Sequence, residues 1–244
     1  MPYKQKSNNI MQQLVILTGA GISAESGLST FRDTDGLWQQ YDVMELASIQ
    51  GYRRNRERVL EFYNARRSNL LTVRPNHAHE VLAELERDYQ VTIITQNVDD
   101  LHERAGSTHV LHLHGELTKV TSSMNPNDPK CVVERPLDQA IAIGDKAADG
   151  SQLRPFIVFF GENVPNMSLA AQIVHQADIF VVIGTSLVVY PAATLLRHVP
   201  KGTPCFLIDP GTFDDTMVRG FEHIQTTAVA GMDLLKEKLR QLRS

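Results

Sequence analysis

Short runs of consecutive Val, Ile, Leu and Phe recur along this chain, separated by longer stretches in which apolar positions return every three or four residues. Runs without polar alternation are the mark of strands buried on both faces. Their alternation with helical periods predicts a parallel sheet covered by helices on both sides. The runs predict strands at Leu14–Thr18, Val91–Thr95, Val110–Leu113, Phe156–Phe159, Ile179–Ile183 and Cys205–Ile208. The last helix is predicted over Gly231–Leu242, with Leu234, Leu235, Leu239 and Leu242 as its buried stripe. Two segments break the alternation. Residues 34–88 hold several helical stretches where one crossover would suffice, and residues 116–154 are rich in Pro, Asn, Asp, Ser and Gly with little periodicity. The expected fold class is α/β. A Rossmann-like parallel sheet domain (about 10–33, 89–115 and 155–244) carries a smaller domain formed by two insertions (about 34–88 and 116–154).

Composition narrows this only a little. With 244 residues, 42% of them apolar and 21% charged, the chain can bury a substantial core. A net charge of -4 argues against binding nucleic acid through phosphate neutralisation. Cys131 and Cys205 are the two cysteines, too few for a disulfide framework. The opening MPYKQKSNNIMQQ lacks the apolar core of a secretory signal. The most apolar stretch, Ile179 to Leu196, is interrupted by Gly184, Thr185, Ser186 and Pro191, so no membrane span is predicted. The expectation is a cytoplasmic enzyme.

Chemistry concentrates after three of the predicted strands. Val15 to Arg32 reads VILTGAGISAESGLSTFR, a strand that breaks on Gly19, Ala20 and Gly21, where small residues let backbone N–H groups approach an anionic ligand. The string then runs on through Ser23, Ser26 and Gly27 to Phe31 and Arg32. A dehydrogenase would carry an acidic residue about 20 positions past such glycines, at the end of a second strand. Here that strand arrives only near Val91, and Asp33 and Asp35 lie in a loop. Gln96-Asn97-Val98-Asp99 follows the second strand. Its spacing fits equally an Asx turn capping the next helix or a ligand site. His112 and His114, in HVLHLHGEL, fall on one face of the third strand, with Leu111 and Leu113 on the other.

Together the strings VILTGAGISAESGLSTFR, TQNVDDLHERAG and HVLHLHGEL resemble the signatures of the sirtuins, NAD-dependent protein lysine deacylases. The resemblance implies one sirtuin-type catalytic unit, with the active-site cleft between its two parts. It assigns Gly19, Ala20, Gly21, Ser23, Phe31, Arg32 and Gln96 to NAD, Asn97 and Asp99 to the reacting nicotinamide-ribose end, and His114 to the general base; His112 reads as structural. It also implies the reaction. The acyl oxygen of a modified lysine attacks the anomeric carbon of the nicotinamide ribose, and the products are lysine, nicotinamide and O-acyl-ADP-ribose. A histidine suits the base role because its ordinary pKa is about 6.5.

LRPFIVFFGENVP is similar to the family's acyl-lysine tunnel, with Val158 and Phe160 lining it and Gly161 opening a loop that pairs with substrate backbone. GTSLVVYPAA resembles the phosphate and ribose loop, through Gly184, Thr185 and Ser186, followed by the peptide slot at Leu187 and Val188. Asp209, where most relatives have asparagine, is expected on the adenosine ribose, where its charge favours NAD over NADP. Thr227 and Ala228 match the adenine end. Tyr63 and Arg66, three apart on a predicted helix, resemble the pair that marks sirtuins accepting acidic acyl groups. The expected activity is therefore removal of succinyl and malonyl groups, and also acetyl. NAD glycohydrolysis or ADP-ribosyl transfer at the same site is the alternative. Most sirtuins hold zinc with two Cys-x-x-Cys pairs, but between Gly115 and Pro155 this chain has only Cys131, so no zinc is expected. Acylated protein lysines are the expected partners, with neither nucleic acid nor membrane, and the chain is expected to be a monomer.

Overall fold

A computed structural model describes residues 11–29, 43–187, 189–214, 216 and 218–243. Phe31, Arg32 and Val188, with Asp33 and Asp35, lie outside the described residues. The strands are β1 (Gln13–Thr18), β2 (Gln90–Thr95), β3 (Val110–His112), β4 (Gly115–Ser122), β5 (Val133–Glu134), β6 (Leu153–Ile157), β7 (Ile179–Ile183), β8 (Cys205–Ile208) and β9 (Phe221–Ile224). Six of them form a parallel sheet in the order β3-β2-β1-β7-β8-β9. The unbroken apolar runs are explained by this arrangement. Leu14, Ile16, Val181 and Ile93 point toward the helices His77–Glu84 and Ala228–Gln241 on one face. On the opposite face Val15, Leu17, Phe180 and Val182 meet the helix Met167–His175 and the turn of 3-10 helix Ala192–His198.

Strand register places the candidate residues. Thr18 lies opposite both Thr95 and Ile183, and Ile183 lies opposite Ile208. The next residues, Gly19, Gln96, Gly184 and Asp209, therefore emerge in one row at the carboxyl edge. The chain reverses its strand order between β1 and β7, and in open α/β sheets that reversal is where ligand crevices open.

Three sequence expectations are corrected. The run expected at Phe156–Phe159 is a strand at Leu153–Ile157, and it pairs antiparallel with β4 in a separate sheet ordered β5-β4-β6. Phe159 instead leaves the strand and packs on Tyr52 and Tyr63. β4, in a segment read as turn-rich, was hidden because its burial loses its period-two alternation halfway, where its register shifts. In the last helix, Leu235 and Leu239 are buried with Met232, whereas Leu234 and Leu242 are 47% and 43% exposed.

The small sheet and the helices Ile49–Arg54 and Arg56–Asn69 share a core of Leu46, Tyr52, Val59, Leu60, Phe62, Leu117, Val120, Ile141, Leu153 and Phe159. Its irregular segment is tied down by polar side chains. Arg67, fully buried, donates to the carbonyls of Leu117, Arg135 (3.0 Å), Pro136 (2.7 Å) and Gln139 (3.4 Å). Asn64 pairs through both amide atoms with the backbone of Ile141. Arg135 bridges to Asp145 at 2.9 Å. Asp149 accepts from Ser122, Asn125 and the Ser151 N–H, bonds that hold its carboxyl well below the usual range. Arg154 and Glu162 form a bidentate pair at 2.8 Å, with the guanidinium 4.7 Å from the Phe159 ring centroid. Cys131 is buried, Cys205 lies in β8 of the other sheet, and no group of three His, Cys, Asp or Glu among the described residues can hold a metal ion.

Candidate active site

The glycines after β1 and β7 interlock. Gly19 N–H donates to Ile183 O at 3.0 Å and Gly21 N–H to Gly184 O at 2.8 Å. A Cβ on Gly21 would meet Gly184 Cα at 2.7 Å, and one on Gly184 would meet Ile22 N at 2.3 Å. Gly184 also has φ of +63°, which favours glycine. The sequence argument assigned these glycines to N–H groups approaching an anion. Here the N–H groups of Gly19 and Gly21 are already spent on the β7 loop, so the glycines serve close backbone packing. Ala20 and Gly21 are half-buried, and Ser23 points into the protein from the short helix Gly21–Ala24.

Ser23 is the hub of a buried polar network. Its hydroxyl donates to Asp99 Oδ2 at 3.1 Å and accepts from Asn97 Nδ2 at 3.2 Å, while Asn97 Nδ2 also reaches Gly19 O at 3.2 Å. Asp99 also makes an Asx-type turn ahead of the next helix, since Oδ1 accepts from Leu101 N–H at 3.2 Å. Burial pushes the Asp99 carboxyl up, against the pull of Leu101 N–H and Ser23. Behind this network lie residues that the sequence argument did not single out. His79 approaches Ser23 Oγ at 3.4 Å and lies, tilted by 58°, with its ring centroid 4.9 Å from that of His102, which meets Thr18 Oγ1 at 3.1 Å. Burial lowers the His79 pKa to about 4 and His102 well below 6.5, so both are neutral near pH 7. The available signal for His79 was its place three residues after the cap Asn76, whose N–H bonds to the His79 ring at 3.3 Å.

His112 and His114 use the same anchor differently. Each turns Nδ1 to a carbonyl of the β2 loop, His114 to Gln96 O at 2.9 Å and His112 to Asn97 O at 3.0 Å. A carbonyl oxygen accepts only, so His114 Nδ1 carries the hydrogen and Nε2 keeps its lone pair. Nε2 of His114 makes no hydrogen bond among the described residues, and burial lowers its pKa. This is the form of a base at neutral pH. The following Gly115 has φ of +83°, and a Cβ there would strike Phe156 O at 2.2 Å. Substituting it would displace the histidine.

Gln96 Nε2 reaches Thr185 Oγ1 at 3.1 Å and joins the β2 and β7 loops. Ser186 is half-buried, and Leu187 is buried with φ of +56°, a strained conformation for leucine. Asp209 is buried at the end of β8 and accepts from Gly211 N–H at 2.8 Å. Ala228 is buried at the start of the last helix, where Glu25 takes Thr227 Oγ1 and Val229 N–H.

On the small-domain side, Val158 N–H donates to His114 O at 2.9 Å, which sets the segment Val158–Gly161 beside the histidine. Phe160 exchanges backbone hydrogen bonds with Ala47 and Ile49 and is 38% exposed. Gly161, with φ of +90°, packs on Ile49 and Gln50. Tyr63 stands edge-on to Phe159 at 5.8 Å, and burial pushes its hydroxyl up to about 12. Arg66, half-buried, lies over the Phe62 ring at 5.8 Å and feels the charges of Tyr63 and Asp99. Arg66 is thus within electrostatic reach of Tyr63 and Asp99.

Residues 19–191 match the sequence profile described as the Sir2 family. A Bacteroides thetaiotaomicron protein named NAD-dependent protein deacylase is 56% identical over 230 residues, 94% of this chain and 98% of its own length. A Helicobacter pylori protein of the same name is 52% identical over 234 residues, 96% of this chain and its full length. Among solved structures, a complex of a Sir2 homolog with NAD superposes with a TM-score of 0.82 at 40% identity, covering 96% of this chain and 91% of its own. A Sir2 protein bound to a deacetylated peptide and 3′-O-acetyl ADP ribose superposes at 0.74 with 30% identity, over 94% of both chains.

Proposed function

The chain belongs to the Sir2 family, and on that premise we propose that it removes acyl groups from protein lysines at the expense of NAD, with His114 as general base. One observation carries this reading: His114 Nε2 stands open at the carboxyl edge of the sheet while Nδ1–H is held by Gln96 O. NAD supplies a ribose whose bond to nicotinamide breaks, giving the acyl group a carbon to transfer through. The row Gly19, Gln96, Gly184 and Asp209, with Ala20, Gly21, Ser23, Thr185, Ser186 and Ala228, would hold it. Phe31 and Arg32 join them on the family resemblance alone. Asn97 and Asp99 would orient the ribose, and His114 would take a proton from its hydroxyl. The charge of Asp209 disfavours a 2′-phosphate, which supports NAD over NADP. Val158, Phe160 and Gly161 would bound the acyl-lysine on one side, and Leu187 with Val188 the peptide on the other.

We further propose an acidic acyl preference. The reading is supported by Arg66 lying within electrostatic reach of Tyr63 and Asp99, and by Tyr63 packing on Phe159; a guanidinium and a phenol together can grip a succinyl or malonyl carboxylate. Replacing Arg66 with Met should lower kcat/KM for a succinyl-lysine peptide about 10- to 100-fold, since a charged hydrogen-bonded contact contributes about 1.5–3 kcal/mol. The acetyl-lysine peptide should lose less than about threefold. Equal losses on both peptides would end this assignment.

Mass spectrometry with acetyl, malonyl and succinyl peptides, with and without NAD, tests the parent reading. Nicotinamide release that requires an acylated peptide is the expected result. Release without any peptide would indicate NAD glycohydrolysis instead.

A further inference from the structure

His112 is buried, makes no approach to the open cleft through its ring, and is not needed as a base, yet its ring is fully engaged. Nδ1 faces Asn97 O at 3.0 Å and Nε2 faces Glu103 Oε1 at 2.7 Å. A neutral imidazole has one N–H, so two acceptors at these distances require both nitrogens to be protonated. The two acceptors sit on either side of the loop that matters most. Asn97 precedes it, and Glu103 follows it on the helix Leu101–Ala105. Between them lie Asp99 and its bond to Leu101 N–H, and one residue earlier is Gln96, whose carbonyl anchors His114.

We propose that His112, as an imidazolium, is the positioning residue of this site, stapling Asn97 O to Glu103 and so holding Gln96, Asn97 and Asp99 in register with His114. This deepens the deacylase reading and rests on it. The titratable groups facing His112 come from each packed element: the carboxylates Glu103 from the helix, Asp99 from the loop and Glu116 from β4, with neutral His102 behind. Lys119 pairs with Glu116 at 2.8 Å and leaves Glu103 to the imidazole. These carboxylates raise the His112 pKa above 6.5 against the cost of burial, while Glu103 is held low by the same pair. The sign follows. A group whose pKa is raised in the folded protein keeps its contacts below that pKa and releases them as pH climbs through it. Two histidines two residues apart would then bound the activity: His114 must lose its proton on the acid side, and His112 must keep its proton on the alkaline side.

The pH profile of kcat/KM for NAD-dependent deacylation should therefore lose its alkaline limb in His112→Gln, with kcat down about tenfold or more from loop misplacement. In Glu103→Gln the alkaline limb should move to lower pH by about one unit or more, because the opposite charge is gone. A general loss of activity with the limb unmoved in both variants would reduce His112 to a packing residue and overturn the proposal. Two readouts stand apart from activity. The His112 ring should titrate above 6.5 by NMR and shift down in Glu103→Gln, and the Leu101 amide should exchange faster in His112→Gln. If these hold while the wild-type protein releases no nicotinamide with acyl peptides, the deacylase reading fails and the staple stands. If His112 titrates at or below 6.5, the staple fails whatever the activity.

Discussion

His114→Ala is expected to lower NAD-dependent deacylation about a thousandfold while the protein stays folded. A positioned general base contributes about 10²–10⁴-fold, and no other imidazole with a free nitrogen shares this cleft among the described residues. His79 and His102 are buried behind Ser23 and Thr18, and both nitrogens of His112 are engaged. The fold should tolerate the change because the ring makes one hydrogen bond, to Gln96 O, and is only half-buried. Such a bond contributes about 1 kcal/mol. Circular dichroism would show an unchanged spectrum with a small fall in Tm. The wild-type pH profile adds a sign. Burial lowers the His114 pKa below 6.5, so the neutral base dominates at pH 7, and on the acid side activity should fall as the pH drops through that lowered value. Near-normal turnover in His114→Ala would remove the base from the proposed mechanism.

The second large effect is on stability. Arg67→Met should destabilise the protein by about 3 kcal/mol, a fall in Tm of about 6–12 °C for a chain of this size. The guanidinium is fully buried and serves four carbonyls from two separated stretches, Leu117 and Arg135 to Gln139. Methionine fills much of the volume but donates nothing, so the inner carbonyls are left without partners. Carbonyls of the exposed residues can turn to water, which keeps the loss nearer 3 than 5 kcal/mol. We propose that Arg67 takes the part that two cysteine pairs play in most relatives, holding the irregular segment against the helix Arg56–Asn69. A chelator should accordingly leave Tm unchanged in the wild-type protein. A chelator-induced drop, or stoichiometric zinc by elemental analysis, would contradict this, and so would an Arg67→Met protein as stable as wild type.

Much of the fold was legible because burial on both faces leaves a local trace. β1, β2, β7 and β8 are runs of apolar residues within a residue or so of the expected bounds. Where the trace is weak, so was the reading. β4 loses its alternation halfway, where its register shifts, β9 is an edge strand, and the run ending at Phe159 is apolar for two different reasons, a strand to Ile157 and then an aromatic cluster. In the site, the clustering of Gln96, Asn97 and Asp99 after a strand was readable, since strand ends of α/β sheets carry ligands. The packing purpose of Gly19, Gly21 and Gly184 was not, because it depends on how closely two loops 165 or so residues apart approach.

By itself, then, the sequence determined what local spacing can carry: the parallel sheet, the glycine breaks, and the shortage of cysteines; the shared strand face expected for His112 and His114 does not form, because β3 ends at His112. Only the tertiary structure told the two histidines apart. The two side chains are chemically identical, and what distinguishes them is their partners, 9 to 18 residues back in the chain: Gln96 O on one ring nitrogen of His114, Asn97 O and Glu103 on both nitrogens of His112. The same holds for Arg67, an arginine beside Arg66 in sequence, whose guanidinium is committed to carbonyls 50 to 72 residues away while Arg66 lies over the Phe62 ring. Neighbours on a helix point about 100° apart, and what each one meets there is a property of the folded chain.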